Sequence, residues 1–376
     1  MKIIWRKLSD IREGDLMDRK CWFWINNIKG IGNIKIRRLL KAFNDDPEAV
    51  FNASDKEVAS VEGIKPSDVA NITDSDARKK IMAKYEKYSD GKMKFVFPCD
   101  TLYPQRLREL YDRPNILYYM GRLPDERKKS VAIVGSRNCS EYGRAVAAEL
   151  GRLMAANEVE VVSGMALGID SEAHRGTVYG GGRTYAVLAG GADVCYPKQN
   201  FNLYCDILNN GGVISEFPSG TATNPGMFPL RNRIISGLAD YVIVVEAGER
   251  SGSLITVAQA LEQNRQVYAV PGRIGDPDSL GCNRLIAQGA QIVSDYDELL
   301  SEMGIYASGT NKKINIALAE EEKLLYTQLL NFTPRCLNTL VRETGIEPDK
   351  VLSALIGLEL KGLIRETGQN FYVRIM

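Results

Sequence analysis

A short apolar run stands directly before a helical pattern in the segment SVAIVGSRNCSEYGRAVAAELGRLM, which begins at Ser130. The run at 131–134 is unbroken, as is typical of a parallel strand that is buried on both faces of a sheet. Beyond Ser140, which is positioned to cap a helix, apolar residues recur one turn apart: Val146, Leu150 and Met154. The segment therefore predicts a central strand that leads into a helix through a tight Gly-Ser-Arg-Asn turn.

The turn after this strand combines features that suit a phosphate. Backbone N–H groups at a strand-to-helix turn point outward at the positive end of the helix dipole. Gly135 allows close approach of the backbone, and Arg137 adds a planar cation beside it. We predict a phosphate site at Gly135, Ser136 and Arg137, while a plain connection between strand and helix is the alternative that the turn leaves open.

The same turn lacks the pattern of a dinucleotide site. That pattern needs three glycines spaced G-x-G-x-x-G and an acid about twenty residues later to hold a ribose hydroxyl. Here Gly135 is the only glycine of the pattern, and the next predicted strand, at 159–162, ends in Ser163-Gly164 without a carboxylate. We therefore expect neither NAD nor FAD, and we predict no cofactor.

Strand and helix patterns alternate from about residue 95 to residue 300. The predicted strands after the first one lie at 159–162, 184–188, 213–215, 241–246, 266–270 and 291–294. Helical patterns between them include 234–238 and 254–263. Alternation of this kind predicts an α/β domain with a doubly wound parallel sheet.

Almost every predicted strand ends in small or glycine-rich sequence, for example in Gly135-Ser136, Ser163-Gly164 and Gly190-Gly191. The carboxyl ends of the strands form the ligand edge of an open α/β sheet. We therefore expect these turns to converge into one long floor, and a floor of that width suits a polymer.

The sequence before residue 95 contains several helical patterns and no strong strand pattern. Gly-Ile turns at 29–32 and 61–66 interrupt these patterns and resemble paired helix-hairpin-helix units, whose turns offer N–H groups to a nucleic-acid phosphate. The helix after the first turn carries four cations: Lys35, Arg37, Arg38 and Lys41. We predict a second DNA contact there, and a small helical domain with a solvated basic face fits the pattern equally well.

A polar, unpatterned stretch at 301–314 predicts a linker. Beyond it, residues 315–376 have the pattern of a winged helix-turn-helix domain, with three helices and a β hairpin. The third helix opens with acids at Glu347 and Asp349 and carries few cations. Groove-reading helices present arginine, asparagine or glutamine to base edges, so this tail is more typical of a protein-contact or structural module.

The stretch MFPLRNRIISGL carries two arginines near the start of a predicted helix. At 100° per residue, Arg231 falls on the buried side at the ligand edge of the sheet, whereas Arg233 falls nearly opposite. We expect Arg231 to enter the cleft, where it binds phosphate or pairs with Glu216 or Glu246. Arg233 is expected to face solvent or a partner. Phe228 precedes the helix and is either an exposed ring for base stacking or a staple on the helix start.

Composition and charge exclude several classes of protein. The net charge is +1 at pH 7, so any nucleic-acid site must be a local patch. Seven cysteines occur without a C-x-x-C pair, which fits neither a disulfide framework nor a zinc site, and we predict no metal. The N-terminus has no apolar signal region, and no run approaches eighteen apolar residues. We expect a cytoplasmic protein that does not cross a membrane.

Eight runs of sequence follow one another in this order: VAIVGSR, VVSGMALGIDSEAH, LAGGADVCYP, ISEFP, FPLRNRIISGLADYVIVVEA, SGSLITVAQA, VPG and GCNRLIAQGA. Together they resemble the DNA processing protein A family, also called DprA or Smf. The resemblance implies an extended Rossmann-like fold at 95–300, between a helical domain at 1–94 and a winged-helix domain at 315–376. It also implies a homodimer that binds single-stranded DNA, has no catalytic activity, and loads the RecA recombinase onto DNA taken up in natural transformation.

By the same resemblance, the DNA pocket of the family falls on two stretches of this chain: Gly135, Ser136 and Arg137, followed by Phe228, Arg231, Asn232 and Arg233. Two further glycine-rich strand ends complete the predicted DNA-binding set: Ser163, Gly164, Gly190 and Gly191.

The alternative is a nucleotide-binding or nucleotide-hydrolysing enzyme. Rossmann-like phosphoribohydrolases have similar glycine-rich sheet edges, and Glu246 beside 251–253 would place a carboxylate next to a phosphate nest. The P-G-G-x-G-T signature of those enzymes is absent. The only histidine, His174, follows Asp170 by one helical turn, but no serine or cysteine nucleophile accompanies it in a recognisable motif. We therefore expect a structural role for His174 and no catalytic residues.

Overall fold

The computed structural model describes residues 13–89, 91–305, 318–329, 334–368 and 370–374. Residues 1–12 and most of the predicted linker lie outside these ranges. Within them the chain forms a helical front end, a central α/β domain and a C-terminal winged helix. No described helix combines the length and the apolar character that crossing a membrane requires.

The described part of the central domain contains one nine-stranded sheet. Its strands are β1 Lys94–Val96, β2 Leu117–Gly121, β3 Ser130–Val134, β4 Glu160–Ser163, β5 Thr184–Leu188, β6 Gly212–Ser215, β7 Tyr241–Val244, β8 Gln266–Ala269 and β9 Gln291–Ile292. They lie side by side in the order β1-β2-β6-β5-β4-β3-β7-β8-β9. The predicted α/β fold with a large parallel sheet is confirmed, since β3 to β9 are parallel to one another.

Strand β2 departs from the predicted pattern, because it is antiparallel to both of its neighbours, β1 and β6. A parallel pair needs a long crossover, usually an α-helix, between its two strands. The one described helix between β1 and β2 is α7, Gln105–Arg108, which is a single turn. The sheet is therefore mixed at this edge.

Two layers of helices cover the sheet: α7, α8 Glu141–Ala156, α9 Ile169–Tyr179, α10 Phe201–Asn210, α11 Met227–Leu238, α12 Ser253–Glu262, α13 Leu280–Ala287 and α14 Tyr296–Glu302. Val131 and Ile133 of β3 belong to the same buried cluster as α8, α9 and α14. Ala132 and Val134 belong to the cluster of α11, α12 and α13. Because side chains alternate across a strand, the two clusters lie on opposite faces, as predicted for a central strand.

The strand order reverses beside β3. Strands β4, β5 and β6 follow on one side of β3, whereas β7, β8 and β9 follow on the other. The helices after β3 and β7, which are α8 and α12, belong to clusters on opposite faces of the sheet. A crevice forms at the carboxyl ends of such a strand pair, and ligands of open α/β sheets bind there.

The described front end is helical, as predicted: α1 Glu13–Asn26, α2 Asn33–Ala42, α3 Pro47–Asn52, α4 Asp55–Ala59, α5 Pro66–Thr73 and α6 Ser75–Ser89. Gly30 and Gly63 have φ angles of +81° and +80°, which glycine adopts without strain, and each lies in a turn between two helices. Lys35 Nζ lies 2.7 Å from Asp68 Oδ1, so an ion pair joins the helices that follow the two turns.

The front end and the sheet share one buried cluster. Phe23 and Trp24 of α1 belong to it together with Phe97, Tyr118 of β2 and Leu188 of β5. The predicted boundary near residue 94 therefore separates two patterns of secondary structure that pack into one continuous core.

The winged-helix domain comprises α15 Glu320–Gln328, α16 Leu337–Thr344 and α17 Pro348–Leu360, with the strands β10 Arg335–Cys336, β11 Ile364–Gly368 and β12 Phe371–Arg374. Its strands form a small sheet in the order β10-β12-β11. Gly345 ends α16 in a left-handed conformation, with a φ of +68°. Leu325, Leu340, Val351 and Tyr372 belong to a buried cluster made of tail residues alone. The predicted winged helix is confirmed.

Candidate nucleic-acid interface

A cavity of about 390 Å³ opens at the point where the strand order reverses. We call it the switch-point cavity, and its walls come from four stretches: the turn 134–138 after β3, Ala166 and Asp170 after β4, the start of α11 from Phe228 to Ile235, and the start of α12 from Ser251 to Thr256. The cavity therefore joins the predicted phosphate turn to the predicted arginine-rich helix.

The N-terminus of α8 is already neutralised by the protein. Ser140 caps the helix as predicted, because its Oγ accepts a hydrogen bond from Gly143 N at 3.1 Å. Glu246 accepts hydrogen bonds from the backbone N of Ser140 at 2.8 Å and from its Oγ at 2.5 Å. A carboxylate at this position compensates the positive end of the helix dipole, so α8 offers little to an external anion.

The glycine of the predicted phosphate turn serves close packing. A Cβ at Gly135 would lie 2.6 Å from Ile169 Cγ1 and 2.8 Å from the carbonyl oxygen of Glu246. The absent side chain thus lets the turn pack on the protein, whereas we had attributed the glycine to the approach of a phosphate. Gly135 and Ser136 still line the switch-point cavity.

The N-terminus of α12 is open to the cavity. Its N-cap residue, Gly252, has no side chain that could accept a hydrogen bond from the first turn. Ser251 and Ser253 line the cavity and their hydroxyl groups lie 2.8 Å apart. The backbone N–H groups of this turn already have acceptors, since Ser253 N donates to Ser251 Oγ at 3.4 Å and Leu254 N donates to the carbonyl oxygen of Ser251 at 3.1 Å. No acidic residue stands in the first turn, so the positive end of the helix dipole is uncompensated and attracts anions. Residues 251–253 are the phosphate nest that the enzyme alternative requires beside a free Glu246 carboxylate. In the structure this carboxylate is bound to the start of α8 instead.

Arg231 enters the cavity wall, as expected, and only 5% of its surface is exposed. Its Nη1 donates to the carbonyl oxygen of Gly164 at 2.8 Å and also to that of Val187. Its Nε donates to Oδ1 of Asn232 at 3.0 Å. Among the described residues no acceptor bonds Nη2, so one edge of this buried guanidinium remains available to a ligand.

The charge of Arg231 is poorly compensated by the protein. Burial lowers the pKa of Arg231 to about 10. The carboxylate of Asp170 opposes this shift, and the guanidinium of Arg137 adds to it. Two cations that repel each other across a cavity favour an anion between them, because the anion replaces the lost solvation of the buried charge.

An aromatic ring stands beside these cations. The guanidinium carbon of Arg137 lies 4.7 Å from the centroid of the Phe228 ring, and that of Arg231 lies 5.8 Å from it. The ring of Tyr196, which the sequence patterns did not single out, lies 5.9 Å from Phe228 and is 46% exposed. Phe228 is half-buried and lines the cavity, so the geometry suits a ring that serves as a stacking platform.

Arg233 does not face solvent, and that expectation is wrong. It is 6% exposed, and its Nη2 lies 2.7 Å from Oε1 of Glu216. Its Nε lies 3.1 Å from Oδ2 of Asp112. The helix is covered on this side by the segment around Asp112, which a helical-wheel argument cannot reveal. Glu216 therefore pairs with Arg233 and Glu246 with Ser140, so neither acid forms the pair with Arg231 that the sequence offered as the alternative to a phosphate.

The predicted long floor is also wrong. Ser163, Gly164, Gly190 and Gly191 are buried and lie outside the lining of the switch-point cavity. Arg231 covers Gly164, where a Cβ would lie 2.6 Å from its Nη1. The carbonyl of Thr221 accepts a hydrogen bond from Gly191 N at 2.9 Å, so a loop covers the next turn. The strand ends meet as expected, but side chains and loops cover them.

Asp170 and His174 do not form the pair that the enzyme alternative suggests. Asp170 accepts hydrogen bonds from the backbone N of Gly164 at 3.1 Å and of Ala166 at 3.3 Å. His174 is fully buried and its Nδ1 lies 2.6 Å from Oγ1 of Thr184. Burial, followed by the charge of Arg231, lowers the pKa of His174 to about 3. Both side chains thus hold the turn and the strand in place.

The four predicted cations of α2 divide into two pairs. Lys35 is bound to Asp68, and Arg37 Nη2 donates to the carbonyl oxygen of Arg113 at 2.6 Å. Arg38 and Lys41 are exposed, and Nη1 of Arg38 donates to the carbonyl oxygen of Glu62 at 3.4 Å. Only the second pair has its charge free for a partner of large size.

Helix α17 presents an apolar stripe where a groove-reading helix would present polar groups. Leu352, Ile356 and Leu360 follow one another at helical spacing and are 38%, 50% and 85% exposed. The structure thus agrees with the sequence in giving this helix few groups that read base edges.

These features define an extended Rossmann-like α/β protein with a helical front end, a winged-helix domain and an anion-suited cavity at the switch point. The sequence matches the family described as DNA recombination-mediator protein A over residues 94–304 and the DprA winged helix domain over residues 315–370. The chain belongs to the DNA recombination-mediator protein A family, which confirms the predicted resemblance.

Several relatives match most of their own length. DNA processing protein DprA of Streptococcus pneumoniae is 41% identical over 242 residues, which cover 62% of this chain and 86% of that protein. Protein Smf of Escherichia coli is 40% identical over 291 residues, which cover 74% of this chain and 77% of that protein.

Two solved structures of the family resemble the described fold. The structure of DNA processing protein A from Streptococcus pneumoniae superimposes with a TM-score of 0.64 at 36% identity, covering 78% of this chain and 98% of that one. The structure of DNA processing protein A from Helicobacter pylori, which reports a single-stranded DNA binding mode, gives a TM-score of 0.51 at 27% identity. It covers 57% of this chain and 96% of that one.

Proposed function

We propose that this protein binds single-stranded DNA in the switch-point cavity and acts as a recombination mediator that loads RecA during natural transformation. A phosphate lies between Arg137, Arg231 and the start of α12, and an adjacent base stacks on Phe228. The protein acts as a homodimer in the cytoplasm and has no catalytic turnover.

The buried guanidinium of Arg231 is the observation that carries the proposal. Its Nη2 has no acceptor among the described residues, although the side chain is almost fully buried. This nitrogen is not among the buried atoms that lack a partner, so it reaches the open space of the cavity. A charge that is mostly removed from water favours a compensating partner of opposite sign. A phosphate oxygen supplies that partner and the missing negative charge, and charge-assisted bonds of this kind are the stronger ones.

The neighbouring ring supports a single strand as the ligand. The guanidinium carbons of Arg137 and Arg231 both lie within 6 Å of the Phe228 ring centroid, so a base stacked on this ring has phosphate-binding groups close by. In duplex DNA the bases already stack on each other, whereas an unpaired base has a free face for an aromatic ring. The reported binding of single-stranded DNA by the Helicobacter pylori relative agrees with this assignment.

The state of the nearby acids supports binding without catalysis. Glu246 is engaged by the backbone N and Oγ of Ser140, whereas Asp170 lines the cavity and is engaged by the backbone N–H groups of Gly164 and Ala166. A general base must lie within hydrogen-bond reach of the proton that it removes.

The family's description as a recombination mediator supports delivery of the strand to a recombinase as the purpose of binding. The seven cysteines are unpaired, which suits a reducing compartment.

The test is fluorescence anisotropy of labelled single and double strands of equal length across a salt series. We expect the single strand to bind more tightly, with a salt dependence that reports the number of neutralised phosphates. Equal affinity for a blunt duplex would overturn the proposal. Calorimetric titration with AMP provides the control for the enzyme alternative, which requires tight binding of the mononucleotide.

A further inference from the structure

A second and larger cavity, of about 1050 Å³, lies between the front end and the sheet. We call it the interdomain groove. One wall is α2 with the turn before it, and the other is made by residues 216–218 and the start of α11. Six of its lining residues matter for its chemistry: Arg37, Arg38, Lys41, Tyr111, Leu230 and Gln259.

The groove and the switch-point cavity lie on two sides of the same helix start. Phe228 and Arg231 line the cavity, whereas Leu230 and Arg233 line the groove. Pro229 lines both. The first turn of α11 therefore separates them, and a flexible chain that passes over Pro229 leaves the cavity and enters the groove.

The charges of the groove suit a polyanion. Its lining contains five cations, Lys35, Arg37, Arg38, Lys41 and Arg233, and two acids, Asp112 and Glu216. Both acids are already paired with Arg233, at 3.1 Å and 2.7 Å. One guanidinium compensates only one of the two acids, but the cations Arg37, Arg38 and Lys41 outweigh the other, so the lining remains cationic.

The groove also offers surfaces for bases. The ring of Tyr111 is 95% exposed, and the guanidinium carbon of Arg37 lies 5.9 Å from its centroid. Ile34 and Leu230 are 69% and 54% exposed on opposite walls. A cationic groove that carries an exposed aromatic ring has the composition of a single-strand track.

We propose that the interdomain groove holds a second segment of the same single strand, which continues from the switch-point cavity over Pro229. Arg38 and Lys41 bind phosphates of this segment, and Tyr111 stacks on one of its bases. The inference rests on the proposed function, because the strand is anchored in the cavity. It makes the front end part of the DNA site and predicts that affinity grows with strand length.

The experiment compares thymidine oligomers of two lengths by anisotropy across a salt series. The short oligomer has about six nucleotides, near the lower end of the site sizes of single-strand modules, and the long one has about thirty. The test variant is Arg38→Gln/Lys41→Gln. The control is Lys80→Gln/Lys84→Gln, which removes the same charge from exposed positions of α6, outside the groove lining.

We expect the test variant to bind the short oligomer like the parent. For the long oligomer, the slope of log affinity against log salt concentration becomes shallower by about 1.4, because each of the two lost phosphate contacts contributes about 0.7. The affinity of the test variant for this oligomer falls about 25-fold at 0.1 M salt. Tyr111→Ala weakens the long oligomer without changing the slope. The control variant binds both oligomers like the parent.

The inference is overturned if Arg38→Gln/Lys41→Gln binds the long oligomer as tightly as the parent does. The same result is expected if a protein segment, and not DNA, occupies the groove. An equal loss in the control variant, or an equal loss for the short oligomer, overturns it as well. Arg137→Ala separates the two proposals. If the parent binds neither oligomer, or if Arg137→Ala has no effect, the proposed function itself fails.

Discussion

The guanidinium carbon of Arg137 lies 4.7 Å from the centroid of the Phe228 ring. Arg137 lies in the turn after β3, whereas Phe228 lies in the first turn of α11. A cation over an aromatic face is attracted by about 0.5–1 kcal/mol at an exposed site. The ring therefore orients the arginine at the mouth of the cavity, and the contact places the predicted phosphate and base contacts next to each other.

Replacement of Arg137 is expected to remove one charge-assisted contact with a phosphate. Arg137→Ala should weaken binding of a long single strand by about 1.5–3 kcal/mol, the range for hydrogen bonds to charged groups. The salt slope measured by anisotropy should fall by about 0.7. A variant that melts like the parent and binds as tightly would show that the DNA site lies elsewhere.

Replacement of Phe228 is expected to remove stacking without releasing counterions. Phe228→Ala should cost about 1–3 kcal/mol of binding free energy and leave the salt slope unchanged. Tyr179→Ala is the matched control, since that ring is 74% exposed and outside the cavity lining. Melting must come first, because Phe228 also packs at the helix start.

The contact between the two side chains makes their effects non-additive. Each single variant loses the contact between the two side chains, whereas the double variant loses it only once, so the summed single effects should exceed the double effect by a few tenths to 1 kcal/mol. Strict additivity in a double-mutant cycle would mean that the ring does not position the guanidinium.

Gly164→Ala is expected to weaken DNA binding from a position outside the cavity. The added Cβ would lie 2.6 Å from Nη1 of Arg231, and this guanidinium is held by buried hydrogen bonds. We expect a loss of about 1–3 kcal/mol of stability from overpacking, together with weaker strand binding. Unfolding by denaturant and anisotropy measure the two effects, and parental values in both would refute the tight packing of this turn.

Removal of the winged helix is expected to leave single-strand binding largely intact. The buried cluster of the tail consists of tail residues alone, so truncation near residue 308 leaves the core of the sheet covered. The truncated chain should bind single strands within a few-fold of the full chain. A hundredfold loss would place a major DNA contact in the tail.

His174 is expected to make stability depend on pH. Its folded pKa of about 3 lies below the ordinary value of 6.5, so the unfolded chain takes up a proton that the folded chain does not. The contribution of His174 to the free energy of unfolding is complete above pH 6.5. It decreases by about 1.4 kcal/mol for each pH unit as the pH falls from 6.5 towards 3.

Urea unfolding at pH 7.5 and 5.5 tests this dependence. The parent should lose about 1.4 kcal/mol through His174 over this interval, and His174→Gln should lack that part of the loss. Thr184 Oγ1 donates to the carbonyl oxygen of Val161 at 3.0 Å, so Nδ1 of His174 is the donor to Thr184. The glutamine amide preserves that donor. Identical pH dependence in both proteins would rule out the buried neutral histidine.

The amino-acid sequence by itself determined where most elements lie. The apolar run at 131–134, the Ser140 cap and the spacing of Val146, Leu150 and Met154 are local patterns, and the structure reproduces each of them. Local patterns are reliable here because burial on both faces requires continuous apolar strands, and a helix start requires a side chain that accepts hydrogen bonds. The same regularity made the winged helix and the helical front end predictable.

Only the tertiary structure decided which groups remain free for a ligand. Glu246 neutralises the start of α8 from another strand, Glu216 and Asp112 neutralise Arg233, and Arg231 keeps one edge of its guanidinium unpaired. Partners of this kind are distant in the chain, so neither a motif nor a helical wheel reveals them. In the proposed function, the start of α12 takes the role that the sequence assigned to the start of α8, because the chemistry of a site depends on which charges the fold has already compensated.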